Sequence, residues 1–126
     1  MKTIKTILMN TLFFGLILIQ STSLFAQDPM TAASNVYKKV LLDNDQVKVM
    51  EVVFAPGATA AWHNHPNHSV YALTSGIIQI TDEGKAPTTI DINMGAALYL
   101  SAVKHMAKNV GSTTLKFIVT EIKPAK

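Results

Sequence analysis

The chain of 126 residues contains no cysteine. That absence excludes disulfide staples, a thiol nucleophile and a lipid anchor attached through sulfur. Charge is sparse too, at 15% of residues with only eight acids. Few of those acids stand near the histidines in sequence, so a two-carboxylate glycosidase site is not suggested. A Gly-x-Ser-x-Gly elbow and a glycine-rich phosphate loop before a helix are both missing, which sets aside those hydrolase and nucleotide chemistries. A fold without staples must draw its stability from a core, a bound metal or oligomerisation.

The one long apolar run stands at the start. Lys2 and Lys5 precede a nearly continuous apolar stretch over residues 7–19, and polar residues 20–23 lead to Leu24-Phe25-Ala26-Gln27. This is the three-part layout of a secretory signal peptide ending on a small residue. Residues 1–26 are therefore expected to be removed, with cleavage after Ala26 and a periplasmic or secreted destination. Spanning a bilayer takes roughly 20 apolar residues, more than this run offers, so no stable membrane anchor is expected after cleavage. Removing the leader leaves nine lysines against eight acids, a net charge of +1 with histidine neutral. So small a charge gives no electrostatic case for nucleic acid or an anionic membrane as partner.

Residues 27–35 are small, polar or proline, and read as a linker or arm. Beyond them, short β-rich runs alternate with turn signals, and no helical period is sustained. Strands are expected at 36–42, 46–55, 62–65, 69–74, 77–81, 88–92, 96–100 and 115–122. Turns fall at Asp43-Asn44-Asp45, Pro56-Gly57, Pro66-Asn67, Ser75-Gly76, Asp82-Glu83-Gly84-Lys85, Met94-Gly95 and Asn109-Val110-Gly111-Ser112. Strands this short and closely spaced indicate an all-β sandwich or small barrel over residues 36–123.

Three of the four histidines, His63, His65 and His68, fall within six residues, and the fourth is His105. On an extended segment, residues two apart share a face. His63 and His65 then point together and could converge on one ion, with Ser69 on the same side. By that parity His68 points the other way, toward the rim or surface, unless Pro66-Asn67 makes a bulge. Neutral imidazole suits Fe, Mn, Zn or Ni, and two ligands from one strand need a third, for which His105 is the remaining histidine. The alternative is that these are exposed or hydrogen-bonded histidines without metal.

The run Gly57, five residues, His63-Asn64-His65, three residues, Ser69, six residues, Gly76 resembles the first motif of the cupins. Gly95, nine residues, His105, three residues, Asn109 is similar to the second, with one residue fewer before the histidine and without the family's Pro and Gly. The opening run 40–49 is also similar to that of small single-domain cupins. The resemblance implies a jelly-roll barrel, or double-stranded β-helix, whose two motifs face one another and bring their ligands together in its mouth. It implies His63, His65 and His105 as metal ligands and a homodimer as the assembly. It also marks a departure, because Ser69 stands where the family has its carboxylate.

Among other residues, Tyr71 and Tyr99 are candidate pocket walls, as is Ser69, and Asn109 could orient His105 or simply close the turn before Gly111. Trp62 is expected to pack in the core or at an edge. Met50, Met94 and Met106 read as gap-fillers. Asn67-His68-Ser69 matches a glycosylation acceptor. Three functions remain open on the sequence. One is a metal-dependent enzyme, oxygenase- or isomerase-like, acting on a small molecule. Another is a metal-free module that binds a sugar or carboxylate. The third is an interaction protein with a vestigial pocket.

Overall fold

The computed structural model describes residues 27–126. The expected signal peptide lies outside the described residues. Nine antiparallel strands follow one short helix, α1 (Pro29–Ala32): β1 (Tyr37–Asp43), β2 (Val47–Phe54), β3 (Thr59–His65), β4 (His68–Ala72), β5 (Gly76–Asp82), β6 (Thr88–Ile92), β7 (Ala97–Leu100), β8 (Val103–Asn109) and β9 (Leu115–Ile122). They form a five-stranded sheet in the order β1-β2-β9-β4-β7 and a four-stranded sheet in the order β3-β8-β5-β6. Two facing antiparallel sheets of this kind make the expected jelly roll. Among the described residues no helix is long and apolar enough to cross a membrane.

Period-2 alternation builds the space between the sheets. Met50, Val52 and Phe54 of β2 point inward beside Leu115, Phe117 and Val119 of β9, all buried. Residue pairs Val52↔Phe117 and Phe54↔Leu115 hold these two central strands in register. The rings of Phe54 and Phe117 meet edge to face, centroids 6.2 Å apart. Ala60, Ile78, Ile92 and Ala107 close the core from the second sheet. Each large apolar side chain buried this way contributes about 1.5–3 kcal/mol, and with no disulfide that term carries the fold.

Strand β8 is absent from the sequence expectation. Its buried residues are His105, Ala107 and Asn109, while Met106 faces the other way. Polar and small residues line its inner side, so the strand has no apolar alternation to detect. The stretch 27–35, read as a linker or arm, is packed. Asp28 caps α1 by accepting the Met30 N–H at 2.8 Å, Pro29 sits in the first turn, and Ala33 and Val36 are wholly buried. A side-chain pair, Asn64 Nδ2 to Gln27 Oε1 at 2.7 Å, ties this segment to β3, and Lys48 to Asp28 at 2.9 Å ties it to β2.

Gly76 opens β5 against the β9 side of the core. A Cβ at this position would lie 2.6 Å from Leu115 Cδ2 and 2.8 Å from Thr113 Oγ1. Leu115 is wholly buried and Thr113 donates its hydroxyl to Ser75 O, so neither is free to retreat. Gly76→Ala is expected to cost about 1–3 kcal/mol through overpacking. Urea midpoints of wild type and variant measure this, and an unchanged midpoint would contradict the packing described.

Candidate metal centre

His63 and His105 are direct cross-strand partners on β3 and β8, and His65 lies two residues further along β3. The register therefore puts all three imidazoles on one inner face. A β-bulge between Ala60 and His63 corrects the phase of β3. It leaves Ala61 and Trp62 both outside, and His63 Nδ1–H donates to the Ala61 carbonyl at 2.6 Å. Trp62 is 41% exposed, on the outer side rather than in the core. The third histidine comes from the neighbouring strand of the same sheet, not from across the barrel. It pairs with β3 because the two motif strands are adjacent.

The three histidines are 93% or more buried, and their ligand nitrogens lie within 4.8 Å of one another, close enough to hold one metal ion. Hydrogen bonding sets their tautomers. His65 Nδ1–H donates to Glu121 Oε1 at 2.7 Å, as His63 Nδ1–H does to Ala61 O, so both Nε2 atoms keep a lone pair aimed inward. His105 Nε2 lies 3.1 Å from His63 Nε2 and must be the donor of that pair. Its Nδ1 faces Asp82 Oδ1 at 3.7 Å, so a shift of its proton to Nδ1 would meet a carboxylate and free the third Nε2. Three neutral nitrogens with committed or committable second nitrogens are a donor set suited to a divalent transition metal.

The facing sheet supplies residues that the sequence reading did not select or placed elsewhere. Glu121 is the inward residue after Leu115, Phe117 and Val119 on β9, and only 6% exposed. A glutamate on an otherwise apolar strand face was the available signal. Tyr37, at the start of β1, places its hydroxyl 2.9 Å from His65 Nε2 and 3.3 Å from His63 Nε2. His68 is buried, not on the rim, with its ring stacked 4.4 Å from that of His65. Parity failed there because the chain changes sheets at Pro66-Asn67, between β3 and β4. His68 Nδ1–H donates to the Pro66 carbonyl at 2.8 Å.

The expected pocket walls are corrected by the same change of sheet. His68, Val70 and Ala72 line the interior, so Ser69 and Tyr71 take the opposite face of β4. Tyr71 is 47% exposed, and Tyr99, paired with Ser69, is 62% exposed. Ser69 thus does not stand in for a ligand. Asn109, the last residue of β8, is fully buried, but its side chain braces the β8–β9 turn: its amide donates to Phe54 O and Thr113 O, and its carbonyl oxygen accepts the Gly111 N–H.

An interior cavity of about 70 Å³ ends on this cluster. Tyr37, His65, His68 and His105 form its polar end, and the rest is aliphatic or aromatic, including Val52, Val70, Ile78, Ile90 and Phe117. An outer hollow of about 350 Å³ is lined by Asp82, Lys85, Thr88, Ser101 and Val103, and shares Ile80, Ile90, Leu100 and His105 with the interior cavity. His105 therefore sits between an outer hollow of mixed lining and an inner apolar cavity.

Burial keeps the imidazoles neutral. Desolvation, and then the charges of neighbouring histidines, push His65 down to about 2 and His105 down to about 3, and desolvation also lowers His63. Burial raises Glu121. The unfolded chain protonates His65 and His105 near the ordinary 6.5, whereas the folded chain resists until far lower pH. The unfolded state then binds more protons between about pH 3 and 6.5, so folding stability is lost as the pH is lowered through that window. Glu121 opposes this above its ordinary 4.5, because the folded form holds its proton longer. The net loss expected between pH 6 and pH 5 is on the order of 1 kcal/mol. Urea midpoints under chelator at the two pH values report it; a higher midpoint at pH 5 would contradict the neutral cluster.

The family model described as "Cupin domain" matches residues 50–121. Among solved structures, a cupin domain from Bordetella pertussis Tohama I is 30% identical, covering 68% of this chain and 91% of its own, with a TM-score of 0.63. A cupin-family protein with a double-stranded β-helix fold from Methanocaldococcus jannaschii is 21% identical over 68% of this chain and 77% of that one, TM-score 0.58. A predicted oxalate decarboxylase from Thermotoga maritima is 25% identical, with the same two coverages and a TM-score of 0.53. None of the curated proteins compared matches the sequence. Two facing sheets, a histidine cluster inside them and a family match over more than half of the chain lead to one conclusion: this protein is a small member of the cupin family.

Proposed function

We propose that this chain is an exported cupin that uses a divalent metal, held by His63, His65 and His105, to act on a small molecule. The observation that supports this most is the convergence of three buried, neutral imidazoles from one sheet, with Glu121 fixing the tautomer of His65. Fe, Mn, Zn or Ni would suit these nitrogens. Such an ion would act as a Lewis acid on an oxygen of the substrate or bring dioxygen to it. The chain's own residues do the rest. Glu121 and Ala61 O orient the rings, the aliphatic walls keep water away, and His68 presents a nitrogen to the bound molecule. A small carboxylate fits this reading: its oxygens would meet the histidine end while its short body rests on apolar walls. The likeness to a predicted oxalate decarboxylase agrees with that class.

The leader at 1–26 supports export, and β1 supports pairing of two copies. This edge strand of the five-stranded sheet exposes Val40, Leu41 and Leu42 in succession. Sedimentation at micromolar concentration should then give a homodimer, and Leu41→Lys with Leu42→Lys a monomer; a monomeric wild type would remove this element.

A second reading keeps the pocket without metal or turnover, as a module for a carboxylate or sugar. The absence of a ligating carboxylate at Ser69 favours it. Metal analysis of untagged protein separates the two. Our reading expects about one ion per chain in wild type, almost none in His63→Ala or His105→Ala, and an affinity 10–100-fold weaker in Glu121→Ala. Equally low metal in all four proteins, with thermal stabilisation by a small carboxylate under chelator, would favour the metal-free module instead.

A further inference from the structure

Ser69 is turned away from the cluster, yet the cluster is not left without an oxygen donor. Tyr37 Oη lies 2.9 Å from His65 Nε2 and 3.3 Å from His63 Nε2, while His63 Nε2 and His105 Nε2 are 3.1 Å apart. Two nitrogens bound to one ion at about 2.1 Å stand about 3.0 Å apart at a right angle and about 3.4 Å apart at a tetrahedral angle. The three separations fall within or close to that interval. Each is the length of a hydrogen bond and also the spacing of neighbouring ligands on one ion, so the Tyr37 oxygen stands where a corner of the coordination shell would fall; the histidine nitrogens, spread over up to 4.8 Å, would draw together on binding.

The local structure makes this placement specific. The Tyr37 and Val36 N–H groups both donate to the Ala33 carbonyl at the end of α1, and the Val53 N–H donates to Val36 O. A register shift in β1 immediately after Tyr37 lets the strand turn its remaining residues outward. Tyr37 is 5% exposed, and its ring lies edge-on to that of His63 with centroids 5.3 Å apart. The other two tyrosines, Tyr71 and Tyr99, are exposed on the outer face.

We infer that Tyr37 is the fourth protein ligand of the metal, supplying from β1 the anionic oxygen that Ser69 does not provide from β4. This rests on the three-histidine reading above. Were an ion to bind, the hydrogen bond from Tyr37 Oη to His65 Nε2 would give way to bonds from both atoms to the ion, the phenol proton would leave to solvent, and the His105 Nε2 proton would move to Nδ1, opposite Asp82. The inward segment 27–36 then acts as part of the site, because it sets where Tyr37 stands.

The test loads wild type with ferrous iron under argon, oxidises the bound iron with ferricyanide, removes the reagent and records the visible spectrum. A phenolate-to-ferric charge-transfer band is expected in wild type and in a Tyr71→Phe, Tyr99→Phe double variant, and is expected to vanish in Tyr37→Phe. Calorimetric titration with Zn2+ should show affinity at least tenfold lower in Tyr37→Phe. Wild type that holds ferric iron with no such band would overturn the Tyr37 assignment alone, as would a band lost in the double variant or kept in Tyr37→Phe. Wild type that binds neither iron nor zinc would overturn the three-histidine reading and this inference with it. The double variant keeps the assignment decidable even should Tyr37→Phe fail to fold.

Discussion

The site depends on where a few imidazole protons are held. A buried histidine must satisfy both ring nitrogens, and burial here makes the charged form costly. His63 gives its Nδ1 proton to the Ala61 carbonyl and His65 gives its own to Glu121. With those protons committed to the outside of the cluster, the Nε2 lone pairs have nowhere to point except toward one another. Among the described residues, no buried side-chain nitrogen or oxygen lacks a partner. In the metal-free protein that balance relies on the hydroxyl of Tyr37 and the Nε2 proton of His105, two hydrogens placed where a cation would serve all the lone pairs at once.

The two sheets divide this work. The four-stranded sheet contributes the three histidines, on adjacent strands that keep their spacing fixed by backbone pairing. The five-stranded sheet contributes Tyr37, His68 and Glu121, each from a different strand. Burying Met50, Leu115 and the Phe54–Phe117 pair between the sheets holds the two groups against each other. Ligand geometry is thereby tied to core packing, which is why a polar cluster this dense persists in a fold without disulfides. The bulge in β3 and the sheet change at Pro66-Asn67 are local irregularities that aim side chains inward.

Much of this was legible in the sequence, where period and spacing act locally. The all-β class, most strands and the pairing of His63 with His65 follow from alternation, turn residues and the His-x-His spacing, while His105 joined them through the resemblance to the cupin motifs. Parity misled wherever the chain left one continuous ribbon. Counting from His65 to Ser69 assumes a single strand, whereas the chain crosses between sheets, so His68 enters the cluster and Ser69, Tyr71 and Tyr99 leave it. Strand β8 was hidden because its inner face is His105, Ala107 and Asn109, with no apolar stripe. Glu121 carried a readable signal as a single acid on the Leu115-Phe117-Val119 face. Tyr37 carried none, since its contacts to residues 26 and 28 positions away are made only by the closed barrel.

The most direct test of this account is the nitrogen-15 spectrum of the histidine side chains at pH 7, before and after zinc. Under chelator, His63 and His65 should be protonated at Nδ1 and bare at Nε2, and His105 protonated at Nε2. One equivalent of Zn2+ should shift all three Nε2 resonances together and move the His105 proton to Nδ1, opposite Asp82. Imidazolium forms at pH 7, or three Nε2 signals indifferent to zinc, would contradict it.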